Sequence, residues 1–173
     1  GAVLKAILLD TEARGDAALQ STTAGKLREP LLRFTAWARA CGVSSASDAW
    51  ALGDTTDPAT RLGQAPLRSP TVFNFFRPGY VPPNSGIATA QLVAPEFQIT
   101  NESSVAGYVN YMQRAVAGSL GDLQPDYSAL QALADDAQVL VAELNTVLAA
   151  GQLSAATAGS MATALATMPS GTT

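Results

Sequence analysis

Between Arg68 and Tyr80 the chain gathers two arginines, an asparagine and a tyrosine among three phenylalanines, Phe73, Phe75 and Phe76. Aromatic faces beside guanidinium and amide donors are the chemistry that holds a sugar ring, a peptide or another extended polymer. Arg68, Phe73, Asn74, Arg77 and Tyr80 are therefore candidate ligand-binding residues, with Asn101 a further amide downstream. A second use of the same residues stays open. The three rings could anchor a long loop into a core, with Arg77 and Asn74 satisfying its backbone carbonyls.

A carboxylate cluster follows. Glu96 and Glu102 flank Asn101, and two carboxyl groups at a suitable separation act as acid and base on a glycosidic bond. These are the candidate catalytic residues, although Glu102 at a helix start is equally accounted for by the helix dipole. Upstream, Arg28 with Glu29 and Asp54 makes a candidate ion pair. Asp54 and Asp57, around Thr55 and Thr56, lack the alternation and the glycine of a calcium loop.

Other chemistries are excluded. The chain has no histidine, so zinc sites of the usual His/Cys kind, Ser-His-Asp triads and imidazole acid–base catalysis cannot be built from it alone. Its single cysteine, Cys41, cannot form an internal disulfide and reads as a small core residue. Neither GxxxxGK[ST] nor GxGxxG is present, so no glycine-rich phosphate loop is expected. No metal and no cofactor is called for.

The 173 residues suit one ordinary domain with a sizeable core. Charged residues make up 14%, against about 25% in an average soluble protein, which favours close-packed helices rich in small residues. The net charge of −4 is unevenly spread: nine of ten basic residues lie at or before Arg77, whereas seven of fourteen acids lie beyond it. That balance argues against nucleic-acid binding, which needs clustered Lys and Arg. No apolar run reaches the length of a membrane span.

The elements that must position these residues are mainly helices. Residues 2–13 place Val3, Leu4, Ile7 and Leu8 at helical spacing, and 14–25 read as a polar loop. A helix from about Leu27 to Cys41 presents Leu31, Phe34, Trp37 and Ala38, carries Pro30 in its first turn and stops at Gly42. From 43 to 100 the chain is largely irregular, with seven of the ten prolines between Pro58 and Pro95. Short helical turns are expected near Ser47–Leu52, Ala59–Leu62 and Pro70–Phe75, the last capped by Ser69. Helical order returns from Thr100 or Asn101 to about Ala117, with Val105, Tyr108, Val109, Met112 and Val116 as its apolar stripe. A run from Tyr127 to Ala149 breaks near Asp135. Gly151 then joins it to a final helix capped by Ser154, and Met168–Thr173 reads as a turn-like tail.

The expected architecture is all-α: an irregular helical array with a long Pro/Phe-rich ordered loop and a C-terminal helical hairpin. It forms one helical region over 1–173, helical in 1–42 and 101–173 and mostly irregular with short helices in 43–100. Neither end carries a cap or a closing element, so the region reads as a fragment of a longer chain.

Three stretches carry a family resemblance: Gly25-Lys26-Leu27-Arg28-Glu29-Pro30, Leu62-Gly63-Gln64-Ala65-Pro66 through Asn74-Phe75-Phe76-Arg77-Pro78-Gly79-Tyr80, and Leu92-Val93-Ala94-Pro95-Glu96-Phe97 through Ser103. In this order they are similar to the C-terminal part of a large bacterial family of unknown function, DUF1800, up to about Met112. The resemblance implies a mostly helical protein several hundred residues long and, because members often carry export signals, a periplasmic or extracellular location. It brings no activity and no catalytic residue with it.

The functional expectation is a binding or structural module of an exported bacterial protein. Its partner would be the remainder of its own longer chain, a protein or a polymer, with no nucleic acid and no membrane span. Two alternatives stand beside it. One is part of a hydrolase completed by an N-terminal region outside this segment. The other is a subunit of a larger assembly.

Overall fold

The computed structural model describes residues 1–21 and 23–168, so the tail expected at Met168–Thr173 lies, past Met168, outside the described residues. In chain order the elements are α1 (Ala2–Leu9), α2 (Thr11–Arg14), α3 (Asp16–Gln20), α4 (Pro30–Ala40), β1 (Ser44–Ser45), α5 (Gly86–Thr89), a 3₁₀ turn (Pro95–Ile99), α6 (Glu102–Val116), β2 (Leu123–Gln124), α7 (Ser128–Gln131), α8 (Ala137–Ala149) and α9 (Ala155–Ala166). The fold is mostly helical, but the all-α expectation needs correction. β1 and β2 pair antiparallel, Ser44 opposite Gln124 and Ser45 opposite Leu123. Two residues per strand are too few to leave a period-2 pattern in the sequence.

Two compact units share the chain. One comprises Gly1–Glu29 and Ser69–Asn101; the other comprises Pro30–Arg68 and the chain from Glu102 onward.

The second unit holds the main core. Phe34 and Trp37 of α4, Tyr111 and Ala115 of α6, and Cys41, Leu62, Leu120 and Leu123 from the connections are all buried together. Phe34 meets Tyr111 edge-on at 5.8 Å between ring centroids and Trp37 at 5.7 Å, the tilted geometries that ring quadrupoles favour. On the same two helices, the Arg33 guanidinium lies 4.0 Å from the centre of the Tyr108 ring. Helix α4 starts at Pro30 rather than at Leu27, because a residue preceding proline is pushed out of the helical region.

Helix α6 forms where expected, with a different face inward. Gly107, Tyr111 and Ala115 are buried, whereas Val105, Val109 and Val116 stay almost half exposed. Chain passes over α6 so closely at Gly107 that a Cβ there would overlap the carbonyls of Pro58 and Ala59. Close approach therefore decides the orientation, and glycine and alanine register weakly in a count of apolar residues.

The irregular chain from 44 to 65 is tied down by polar contacts. Gln64, 1% exposed, accepts the Leu31 N–H of the first turn of α4 (3.2 Å), while its own carbonyl accepts the Thr55 hydroxyl (2.6 Å). Asp122 accepts the Ser45 and Ser47 hydroxyls and the Ala51 N–H. These donors, the Ser45 hydroxyl foremost, hold its carboxyl well below the usual carboxylate range. The stretches 47–52 and 59–62 are turns and not helices; Asp57 closes the second of them, its carbonyl accepting the Arg61 N–H (3.0 Å) and its carboxyl the Ala59 N–H (2.9 Å) and the Thr60 hydroxyl (2.6 Å).

Toward the C-terminus, Asp136 caps α8 by accepting the Gln138 and Val139 N–H groups, and Ser154 caps α9 through the Thr157 N–H. Between them Ala150 and Gly151 take left-handed conformations, and α8 packs on α9. In the first unit the helical stretch expected over 2–13 is broken at Asp10, which is extended and caps α2 through the Glu12 N–H; on α1, Val3, Leu4, Ile7, Leu8 and Leu9 remain more than half exposed. The stretch expected as a polar loop contains α3. None of the described helices is long and apolar enough to cross a membrane.

Two outcomes follow for stability. In an open helix interior Gly→Ala stabilises by up to ~1 kcal/mol; Gly107→Ala should instead destabilise by ~1–3 kcal/mol through overpacking, read from urea midpoints. A neutral value would show that the 58–59 turn can retreat. The depressed Asp122 carboxyl contributes fully above the ordinary carboxylate range, and that contribution is lost as pH falls. Asp122→Asn should therefore flatten the loss of stability between about pH 5 and pH 2 relative to the parent chain; parallel acid limbs in the two proteins would sink that role.

Candidate functional site

Most of the sequence candidates lie in the first unit, on the stretch that opens with Ser69. The helical turn expected at Pro70–Phe75 is a tight β-turn instead. The Asn74 N–H reaches the Thr71 carbonyl (3.2 Å), and Thr71 and Asn74 form an isolated bridge. Thr71 Oγ1 accepts the Phe73 N–H (3.1 Å) and donates to the Asn74 carbonyl (3.2 Å). Ser69 caps no helix; its hydroxyl donates to the Thr71 carbonyl (3.1 Å). Side-chain bonds of this kind compete with helix formation. Asn74 adopts a left-handed backbone at φ 72°, a conformation asparagine tolerates better than most residues.

This closure puts Val72 and Phe73 at the two central positions of the turn, 95% and 68% exposed. Phe73 is thus not a core anchor, and Phe75 and Phe76 are only half-buried. Asn74 and Arg77 are exposed and Tyr80 is half-buried. The segment is laced at its far end. The Arg77 N–H donates to Gln98 Oε1 (2.8 Å), and the Tyr80 carbonyl accepts the Ala94 N–H (2.8 Å). Between these strands of contact, Ser85 caps the short α5 by accepting the Ala88 N–H and donates its hydroxyl to the Pro82 carbonyl (2.6 Å).

The remaining candidates have other settings. Arg68 belongs to the second unit, where it pairs with Asp54 at 3.2 Å, both side chains more than half exposed. Asp54 thus finds Arg68, where Arg28 was the expected partner. Its carboxyl is held below the usual range chiefly by the Thr56 hydroxyl and N–H, with Arg68 contributing less. Glu96, in the 3₁₀ turn of the first unit, is buried, and its Oε2 has no hydrogen-bond partner among the described residues. Glu102 is an exposed first residue of α6 in the second unit, as its dipole role predicts. Asn101 is the exposed residue immediately before it.

Sequence reasoning missed two participants, Val72 and Gln98. Val72 carries no chemistry of its own, and its exposure follows only from the turn. The available signal was the Thr-x-x-Asn spacing, in which both end residues favour side-chain-to-backbone bonds. Gln98 acts across 21 residues of sequence, a separation no local pattern encodes.

A family model described as "Protein of unknown function (DUF1800)" matches residues 1–173, the whole chain. No curated protein matches the chain, and no solved structure does.

The turn geometry separates the residues by what they do for folding. Val72→Ala and Phe73→Ala should change unfolding free energy by no more than about 0.5 kcal/mol. Phe76→Ala, at a half-buried site, should cost ~1–2 kcal/mol, below the ~3–5 kcal/mol of a fully buried ring. Urea unfolding of the three variants checks the order; a Phe73→Ala loss as large as that of Phe76→Ala would show the turn tip packed inward.

Proposed function

This chain belongs to the DUF1800 family, and from that premise we propose that it is a binding module that presents the Thr71–Tyr80 segment to a protein partner. The observation that supports this reading is the exposed Val72–Phe73 pair on a turn closed by its own hydrogen bonds. Apolar side chains on an ordered, projecting turn suit insertion into a partner's pocket, and little conformational freedom remains to be lost on binding. Exposed Arg77 and half-buried Tyr80 supply the residue types that dominate binding energy at protein interfaces. A polymer ligand is less well served. Sugar rings stack in grooves floored by aromatic faces, whereas a turn tip is convex. We place the module in an exported bacterial protein, in the periplasm or outside the cell, on the strength of the family's frequent export signals.

One observation favours a second reading. Buried Glu96, with an unpartnered Oε2, would suit a hydrolase site completed by histidines outside this segment. A carboxylate oxygen buried without a partner is costly, and active sites are where such groups are kept.

The first reading is tested by placing a photo-crosslinking phenylalanine analogue at position 73 of the full-length protein in its bacterial host. One discrete crosslinked protein is expected from position 73 and none from exposed Ala134. With that partner purified, Phe73→Asp and Arg77→Ala should each weaken binding by about tenfold or more while the unfolding midpoint stays put. Binding that survives both substitutions would sink the assignment of the turn.

A further inference from the structure

The second unit carries a separate cavity. The C-terminal end of α4, helix α7 and helix α8 enclose a space of about 100 Å³ walled by Leu130, Leu144 and Val147 and by the buried Cys41 side chain. Asp126 and Glu143 also line it, and both are exposed. No basic residue contributes to the lining. From residue 115 onward the sequence holds five acidic residues and no lysine or arginine, so α7 and α8 bring no cation to the cavity; Arg39, which precedes the lining residue Ala40 at the end of α4, is exposed and outside the lining.

Size and charge together narrow what the cavity can take. At about 100 Å³ the space is smaller than the roughly 150 Å³ apolar cavity that admits a whole benzene ring, so it takes a short branched alkyl group or the edge of one ring entered from its mouth, and it excludes a polymer. Burial pushes the Cys41 thiol above its ordinary pKa, which makes it a neutral, polarizable wall. Asp126 is held ionised below the usual carboxylate range by the Ser128 N–H and hydroxyl. An apolar pocket with carboxylates and no countercharge is matched by a ligand whose apolar end fills the space and whose ammonium meets the acids. We propose that this cavity binds small hydrophobic ammonium ions, of the aryl- or alkylmethylammonium class, with the hydrocarbon against Leu130, Leu144, Val147 and Cys41 and the charge at Asp126 and Glu143.

The probe is benzylammonium, with neutral benzyl alcohol as its near-isostere, titrated into the chain carrying ¹³C-labelled Leu and Val methyls. Expected are saturable shifts at Leu130, Leu144 and Val147, with benzyl alcohol at least about tenfold weaker. Glu143→Gln, a substitution at an exposed position, should shrink the preference for the cation several-fold without removing the binding of the ring. Val147→Trp, which fills the cavity from its rim, should abolish the shifts of the other two side chains. If Val147→Trp disturbs the fold, as its amide spectrum would show, the narrower Val147→Phe serves instead. Equal binding of the two probes would overturn the assignment, as would shifts centred elsewhere or no shift up to about 10 mM probe.

Discussion

Helix α4 begins with N–H groups that have no partner inside the helix. Pro30 removes one such donor; Leu31 sends another to Gln64, a residue 33 positions away and almost wholly buried. The Gln64 carbonyl is in turn satisfied by the Thr55 hydroxyl. A buried amide in this position admits little displacement, because moving it strands a donor and an acceptor away from water, at ~1–3 kcal/mol each. The irregular chain between 44 and 65 therefore has one register against α4. The close approaches follow from that register: the 58–59 turn lies on α6 at Gly107, and Ala51 lies on Gly121, whose left-handed backbone has no room for a Cβ. Asp122 then holds Ser45, Ser47 and Ala51 from one carboxyl group.

The same chain of contacts explains what could and could not be read from sequence. Helices with local signals were legible: Pro30 before α4, Gly42 after it, the break before α8, Gly151 and Ser154 around the last turn. Their caps act over three or four residues, the range a reader of sequence can survey. Inaccessible features all depended on remote partners. The stripe Val105, Val109 and Val116 is a correct helical period on the wrong face of α6, because Tyr111 alone among the large residues is fully buried and its neighbours at i−4 and i+4 are Gly107 and Ala115. A small residue marks a contact by what it leaves out. The Leu-Gly-Gln-Ala-Pro stretch stood out as a family motif, yet its use as a distant helix cap and loop lock is visible only when Leu31 and Thr55 are beside it.

Candidate site residues divide along the same line. Phe73, Asn74, Arg77 and Tyr80, alike in their capacity to bind a ligand, lie on one continuous, hydrogen-bonded segment of the first unit. Arg68 has the same guanidinium chemistry, but it lies in the second unit and pairs there with Asp54. Glu96 and Glu102, six residues apart, have opposite environments, one buried and one exposed. The difference arises at the boundary between a 3₁₀ turn and the first turn of α6, where the chain passes from one unit to the other.

An exposed phenylalanine is usually a loss to a fold, since burying it would contribute ~1.5–3 kcal/mol. At Phe73 the local hydrogen bonds decide otherwise. Its own N–H is held by Thr71 Oγ1, and the residue after it is fixed in a left-handed conformation by the Thr71–Asn74 closure. To turn the ring inward the backbone would have to give up that closure, losing several bonds of about 1 kcal/mol each and freeing the torsions they fix. The turn thus keeps an aromatic and a β-branched side chain out in water at a defined place, while Phe75 and Phe76 behind it are half covered. The two bonds exchanged between Thr71 and Asn74 on one side and the Arg77–Gln98 and Tyr80–Ala94 bonds on the other leave the tip little freedom except at the side chains themselves. Exposure sustained by the backbone, rather than by any lack of apolar surface to pack against, distinguishes a presented tip from a loose one.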